Sequence, residues 1–107
     1  MVEAIERDEL KERLDRGDDF KLVMALSEWE FQAKHIPGSL NVNNPNTAKE
    51  ILGLHEDIVV YCSDETCVAS KIAYQMMKAG GYTNVRRYAG GIADWEAAGY
   101  PLEGEMA

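Results

Sequence analysis

Apolar and polar positions along the chain change period several times, and each change marks an element. In residues 6–16, Leu10 and Leu14 form an apolar stripe on a charged helix whose outer face carries the i,i+4 pairs Glu9–Arg13 and Glu12–Arg16. Gly17 is placed to end that helix. Residues 20–26 are almost continuously apolar, the pattern of a parallel strand buried on both faces. Ser27 and Glu30 read as a capping box opening a short helix through Trp29, Phe31 and Ala33. Pro37-Gly38 is a turn, 40–42 a short strand, and 43–46 a loop. Thr47 is the expected cap of a helix through Leu52 that stops at Gly53.

The central segment follows. Residues 58–61 form a buried strand, and small or polar residues come next. Then Val68, Ala69, Ile72, Ala73, Met76 and Met77 recur at helical spacing, with Ser70, Lys71, Gln75 and Lys78 on the opposite face. Gly80-Gly81 supplies the stop. Residues 85–88 form another strand with Arg86 and Arg87 beside it. A closing helix carries Asp94, Trp95 as a core anchor, and Ala98, and 104–107 read as a fraying end. The chain is therefore a small α/β domain with a parallel sheet of about five strands and helices on both faces, in three layers.

Length and charge narrow the function. The 107 residues make one domain, 1–107, and no apolar run approaches a membrane span. The first eight residues have neither a basic nor an apolar signal region, so a cytoplasmic location is expected. A net charge of −8 argues against nucleic acid or anionic membrane as a partner.

Candidate chemistry centres on Cys62, which leaves a strand and enters a loop feeding a helix N-terminus. There, backbone N–H groups and the helix dipole favour the thiolate and lower a pKa of ~8.5. The plainer alternative is an inert thiol capping a strand. Cys67 lies five residues on, too close for a disulfide framework. With His35 and His55 unpaired in spacing, no metal site is expected.

Three pieces of sequence resemble the rhodanese (sulfurtransferase) family. One is the strand-Cys62-loop-helix itself. Another is His35-Ile-Pro-Gly-Ser39 followed by Leu40-Asn-Val42. The third is Val85 to Tyr88 with Ala89-Gly-Gly-Ile92, Trp95 and Ala98-Gly-Tyr-Pro101. Their order and spacing match the family along nearly the whole chain. The resemblance implies Cys62 as the catalytic thiol in a loop of Ser63, Asp64, Glu65, Thr66, Val68 and Ala69. It implies no cofactor, a small sulfur donor, and a thiol, cyanide or protein acceptor. His35 is implied to be structural.

The chain departs from the family in two places. Met24-Ala-Leu26 stands where a strand-end Asp-x-Arg is usual, and apolar packing is expected to replace that ion pair. The loop is longer than usual and holds no Arg or Lys between Cys62 and Ser70. Asp64 and Glu65 stand there instead, opposing an anionic donor such as thiosulfate, and Lys71 compensates only if it turns inward. Arg86 and Arg87 either bind an anionic substrate or pair with surface carboxylates. Gly90-Gly91 lets a backbone approach the loop closely. Cys67 is either a space-filling residue or a resolving thiol for a Cys62 persulfide or sulfenate.

The expected function is transfer of sulfane sulfur through a Cys62 persulfide. The alternative is a low-turnover module for redox sensing or protein binding. A phosphatase or arsenate reductase would need an arginine clamp, and positions 68 and 69 are Val and Ala.

Overall fold

The computed structural model describes residues 3–107. Along them run α1 (Arg7–Arg16), β1 (Lys21–Met24), α2 (Glu28–Ala33), β2 (Leu40–Asn41), α3 (Pro45–Ile51), β3 (Asp57–Tyr61), α4 (Ala69–Ala79), β4 (Asn84–Tyr88) and α5 (Gly91–Ala97). The strands lie in the order β2-β1-β3-β4, and every neighbouring pair is parallel. Parallel pairing needs crossovers, and the helices that make them cover both faces of the sheet.

β3 lies between β1 and β4 and explains its own composition. Ile58 and Val60 join the core under α3 and α4 with Tyr74, Met77 and Tyr82. Val59 and Tyr61 join the opposite core with Leu10, Met24, Tyr88 and Trp95. Both faces are buried, so the strand reads as an unbroken apolar run. Trp95 anchors the core as expected, at 1% exposure. Met24 lies fully in that core, so packing does fill the place of the absent ion pair.

Among the described residues the sheet has four strands, where about five were expected. Beside β4 the ladder shrinks to one parallel bridge between Ala4 and Arg87. It is held by Ile5 N–H to Arg87 O at 3.1 Å and Arg87 N–H to Glu3 O at 2.8 Å. Glu6 is already the N-cap of α1, so the chain turns away before a strand forms.

Several local expectations change. Arg13 is not on a solvated face: it is buried, paired with Asp57 and Asp18, and stacked over Phe20. Arg16 does pair with Glu12. Asn44, not Thr47, caps α3, its Oδ1 accepting the Thr47 amide at 2.9 Å. Ser27 is the N-cap of α2, but its hydroxyl donates to the Glu30 carboxylate instead of completing a capping box. The end expected to fray is tied back instead, the amides of Glu105 and Met106 donating to Gln32 O and Ala33 O.

The rotation of α4 matters most. Ser70, expected on the outer face, is fully buried, while Ile72 and Met76 are 50% and 52% exposed. Ile72 and Met76 instead line an apolar groove of about 630 Å³ with Leu52, Leu54 and Tyr82. A helix fed by a tight loop takes its orientation from that loop, and here the loop turns Ser70 toward β3. Among the described residues no helix is long and apolar enough to cross a membrane.

Candidate active site

The site begins one residue before the cysteine. The Tyr61 hydroxyl accepts the Ile36 amide at 3.0 Å and shares a 2.9 Å hydrogen bond with Ser39 Oγ, which donates to Ile36 O. The His35-to-Ser39 turn is thereby pinned to the end of β3. Burial is the main cause that pushes the Tyr61 phenol up to about 12, against smaller opposing effects from Ser39 and Ile36. His35 stacks on Phe31 at 4.0 Å, and its Nδ1 lies 2.8 Å from Phe31 O. Its backbone pairs with Glu103. These contacts give it the structural role implied for it.

Beyond Tyr61 the loop is clamped from the other side. The amides of Ile92 and Ala93 donate to Cys62 O and Ser63 O at 3.1 and 2.9 Å. This requires Gly91, which has φ +64°, where an added Cβ would stand 2.4 Å from Cys62 O. The close approach expected of Gly90-Gly91 thus falls on Gly91.

The loop amides do not all face Cys62. Asp64 Oδ1 accepts the amides of Thr66 at 3.0 Å and Cys67 at 3.1 Å, and the Thr66 hydroxyl at 2.6 Å. The Thr66 hydroxyl, followed by these amides, holds the Asp64 carboxyl below the usual range. The expected ring of donors around Cys62 is therefore partly occupied by a carboxylate.

The two sulfurs share the N-terminus of α4. The Cys62 sulfur faces Ser70 of the first turn, and Cys67 precedes the helix by two residues. Both thiols are free, Cys62 buried at 1% exposure and Cys67 partly exposed. The expected lowering of the Cys62 pKa is reversed: burial, and then the Cys67 side chain, push the thiol up against the Ser70 donors. Burial acts the same way on Cys67, but the Cys62 thiol and the Ala69 and Ser63 amides outweigh it and hold Cys67 down. Helix N-terminal donors favour a nearby anion, and desolvation disfavours the more deeply buried one.

Ser70 and Arg87 complete the arrangement, and neither was singled out for a role at Cys62. The Cys62 sulfur is 3.2 Å from Ser70 Oγ and 3.6 Å from Cys67 O. Arg87 Nε donates to Ser70 Oγ at 2.9 Å, and its Nη2 donates to Cys67 O at 3.1 Å. Arg87 thus neither lies free for substrate nor pairs with a surface carboxylate. Arg86 does the latter, lying 3.5 Å from Glu9. Lys71 is exposed on α4 and does not turn inward. Val68 is exposed as well, at 62%.

Beside the loop lies a cleft of about 610 Å³, lined by Glu6, Asp64, Glu65 and Asp94 with Tyr88 and Gly90. Asp94 is engaged there by the Tyr88 hydroxyl and by Arg7. Four carboxylates against one arginine make this an unfavourable approach for a dianion. Among the described residues no group of three or more His, Cys, Asp or Glu is placed to hold a metal ion.

Comparisons with known proteins agree with one another. The family described as "Rhodanese-like domain" matches residues 6–98. An HTH-type transcriptional regulator of Mycobacterium tuberculosis is 34% identical over 103 residues, covering 94% of this chain and 45% of the regulator. The chain thus spans less than half the length of that relative. A rhodanese-like protein structure from Anabaena superposes with TM-score 0.86 at 25% identity, covering 96% of this chain and 94% of that one. A thiosulfate sulfurtransferase from Pseudomonas aeruginosa gives TM-score 0.81 at 23% identity, covering 96% of this chain and 20% of that one.

Proposed function

The chain belongs to the rhodanese-like family, and from that premise we propose that it moves sulfane sulfur through the Cys62–Cys67 pair. Cys62, as the thiolate, attacks the outer sulfur of a persulfide or polysulfide donor. The donor's S–S bond breaks, the donor leaves as a thiolate, and Cys62 carries the sulfur as a persulfide. An acceptor thiolate or cyanide then takes the terminal sulfur and returns the Cys62 thiolate. In the absence of an acceptor, Cys67 attacks the Cβ-bound sulfur of the Cys62 persulfide. That step forms the Cys62–Cys67 disulfide and expels hydrosulfide, so the two cysteines are oxidised as the carried sulfur is reduced.

The observation that carries this reading is the shared helix terminus. At it the Cys62 sulfur lies 3.2 Å from Ser70 Oγ and 3.6 Å from the Cys67 carbonyl oxygen, with Cys62 shielded and Cys67 reaching solvent. The acidic cleft favours a neutral or weakly charged donor over thiosulfate.

A second reading is sensing, with little turnover. It is favoured by the raised Cys62 thiol and by the likeness to a transcriptional regulator of more than twice this length. One experiment separates the two. Reduced Cys67→Ser protein, which cannot resolve a persulfide into the disulfide, is incubated with polysulfide and, separately, with thiosulfate, then read by intact mass and peptide mapping. Transfer predicts one added sulfur on Cys62 with polysulfide and its loss in Cys62→Ser. Undiminished transfer by Cys62→Ser overturns the assignment. No sulfur adduct on Cys62 of the Cys67→Ser protein from any donor, together with a reversible Cys62–Cys67 disulfide in the parent, favours the sensor.

A further inference from the structure

We propose that Arg87 is the positioning residue of this site: from β4 it orders Ser70 and the Cys67 carbonyl around the Cys62 sulfur and directs the Ser70 hydroxyl proton onto the thiolate. The inference rests on the reading of Cys62 as nucleophile and adds to it a residue outside the loop.

The geometry is a three-member chain. Ser70 is fully buried, with Oγ 3.2 Å from the Cys62 sulfur and 2.9 Å from Arg87 Nε. A guanidinium is always protonated and only donates, so one lone pair of Ser70 Oγ is always taken by Arg87. The hydroxyl proton is then left for the other neighbour, the sulfur. A hydroxyl polarised by a cation donates more strongly, and it donates to a thiolate, not to a thiol.

The second arm works in the same direction. The Cys62 sulfur lies 3.6 Å from Cys67 O, an acceptor within reach of its S–H, while Arg87 Nη2 already donates to that oxygen at 3.1 Å. A carbonyl engaged by a cation is a poorer acceptor for S–H, which weakens the protonated form. The bidentate fork also spans the loop end and the first turn of α4, so one side chain holds both against β4.

The other groups around Cys62 are engaged or turned away. Asp64 is held by loop amides, and Asp94 of α5 by Tyr88 and Arg7. Glu65 and Lys71 are exposed. The Cys67 side chain pushes the Cys62 thiol up, so the test removes it.

In a Cys67→Ser background, the pH profile of Cys62 alkylation by iodoacetamide is measured for the parent and for Arg87→Gln, Ser70→Ala and the double variant. Each single substitution is expected to raise the midpoint by about one pH unit. The double variant is expected to shift no further than Arg87→Gln, which already breaks both the Ser70 arm and the Cys67 carbonyl arm. Arg87→Lys, which keeps charge but not the fork, is expected to recover only part of the shift. An unmoved midpoint in Arg87→Gln, or additive shifts in the double variant, overturns the proposal. Ser70→Ala removes one hydroxyl and keeps the test open should an Arg87 variant fail to fold. The assay requires no sulfur transfer, so a shifted profile without a persulfide would sink the proposed function and leave this inference standing.

Discussion

A Cβ placed on Gly91 would stand 2.4 Å from the carbonyl oxygen of Cys62. No side chain fits that gap, so α5 and the cysteine loop form one unit at this point. Gly91→Ala is expected to destabilise the domain by about 3 kcal/mol, combining the clash with a left-handed φ. Gly99 has a similar φ of +77° but open space around it. Gly99→Ala should cost only the backbone part, about 1 kcal/mol. Urea denaturation of the pair isolates the clash, and equal losses would refute it.

The two thiols should differ in reactivity, with Cys67 ahead of Cys62. Cys67 is held down and partly exposed, while Cys62 is pushed up by burial. At neutral pH, iodoacetamide should therefore modify Cys67 about tenfold faster. Peptide mapping against time measures this, and earlier labelling of Cys62 would contradict the assignment of the amides.

Asp64 holds the loop by hydrogen bonds and repels anions by charge, and Asn separates these effects. Asp64→Asn keeps an oxygen for the Thr66 and Cys67 amides but drops the charge. Sulfur loading from thiosulfate, read as thiocyanate formation with cyanide, should rise about threefold to tenfold. The folded-state pKa of Asp64 is depressed, so its contribution is present above the unfolded value near 3.8 and is lost only as pH falls through the depressed value. The loop should thus loosen in strong acid, and the Asn variant should lack that acid-dependent step.

Tyr61 predicts the alkaline limb. Its folded pKa of about 12 lies above the ordinary 10.0, so the stability it contributes is complete below pH 10 and declines as pH rises through about 12. Two pH units correspond to about 3 kcal/mol. Tyr61→Phe should cost about 1–3 kcal/mol at neutral pH by leaving the buried Ile36 amide unpaired. It should also flatten the stability loss between pH 10 and 12, measured by denaturant titration at each pH.

The legible parts of this molecule are those whose cause lies within a few residues. The run from Ile58 to Tyr61 showed a strand buried on both faces, and Gly80-Gly81 marked the end of α4. The His35-to-Ser39 signature was visible as letters, and its reason is the hydroxyl of Tyr61, more than twenty positions away. What escaped depends on distant pairings. Arg87 reaches Ser70 because β4 lies in register with β3, Val60 opposite Arg87, and local periodicity does not record register between parallel strands. The rotation of α4 escaped for a related reason. Of its apolar stripe Met77 and Ala73 do pack into the core, but Ile72 and Met76 stay exposed and Ser70 is buried, because the loop, and not hydrophobicity alone, aims the helix. The burial of Cys62 followed from that aim.

Consecutive side chains on a strand point to opposite layers, so the adjacent arginines of β4 serve different halves of the molecule. Arg86 meets Glu9 on the α1 side, while Arg87 meets Ser70 on the α4 side. Parity, more than residue type, thus decides which cation attends the sulfurs. A one-residue insertion early in β4 would keep both guanidiniums near the sheet yet exchange their addresses, leaving a recognisable motif with its chemistry facing the wrong way.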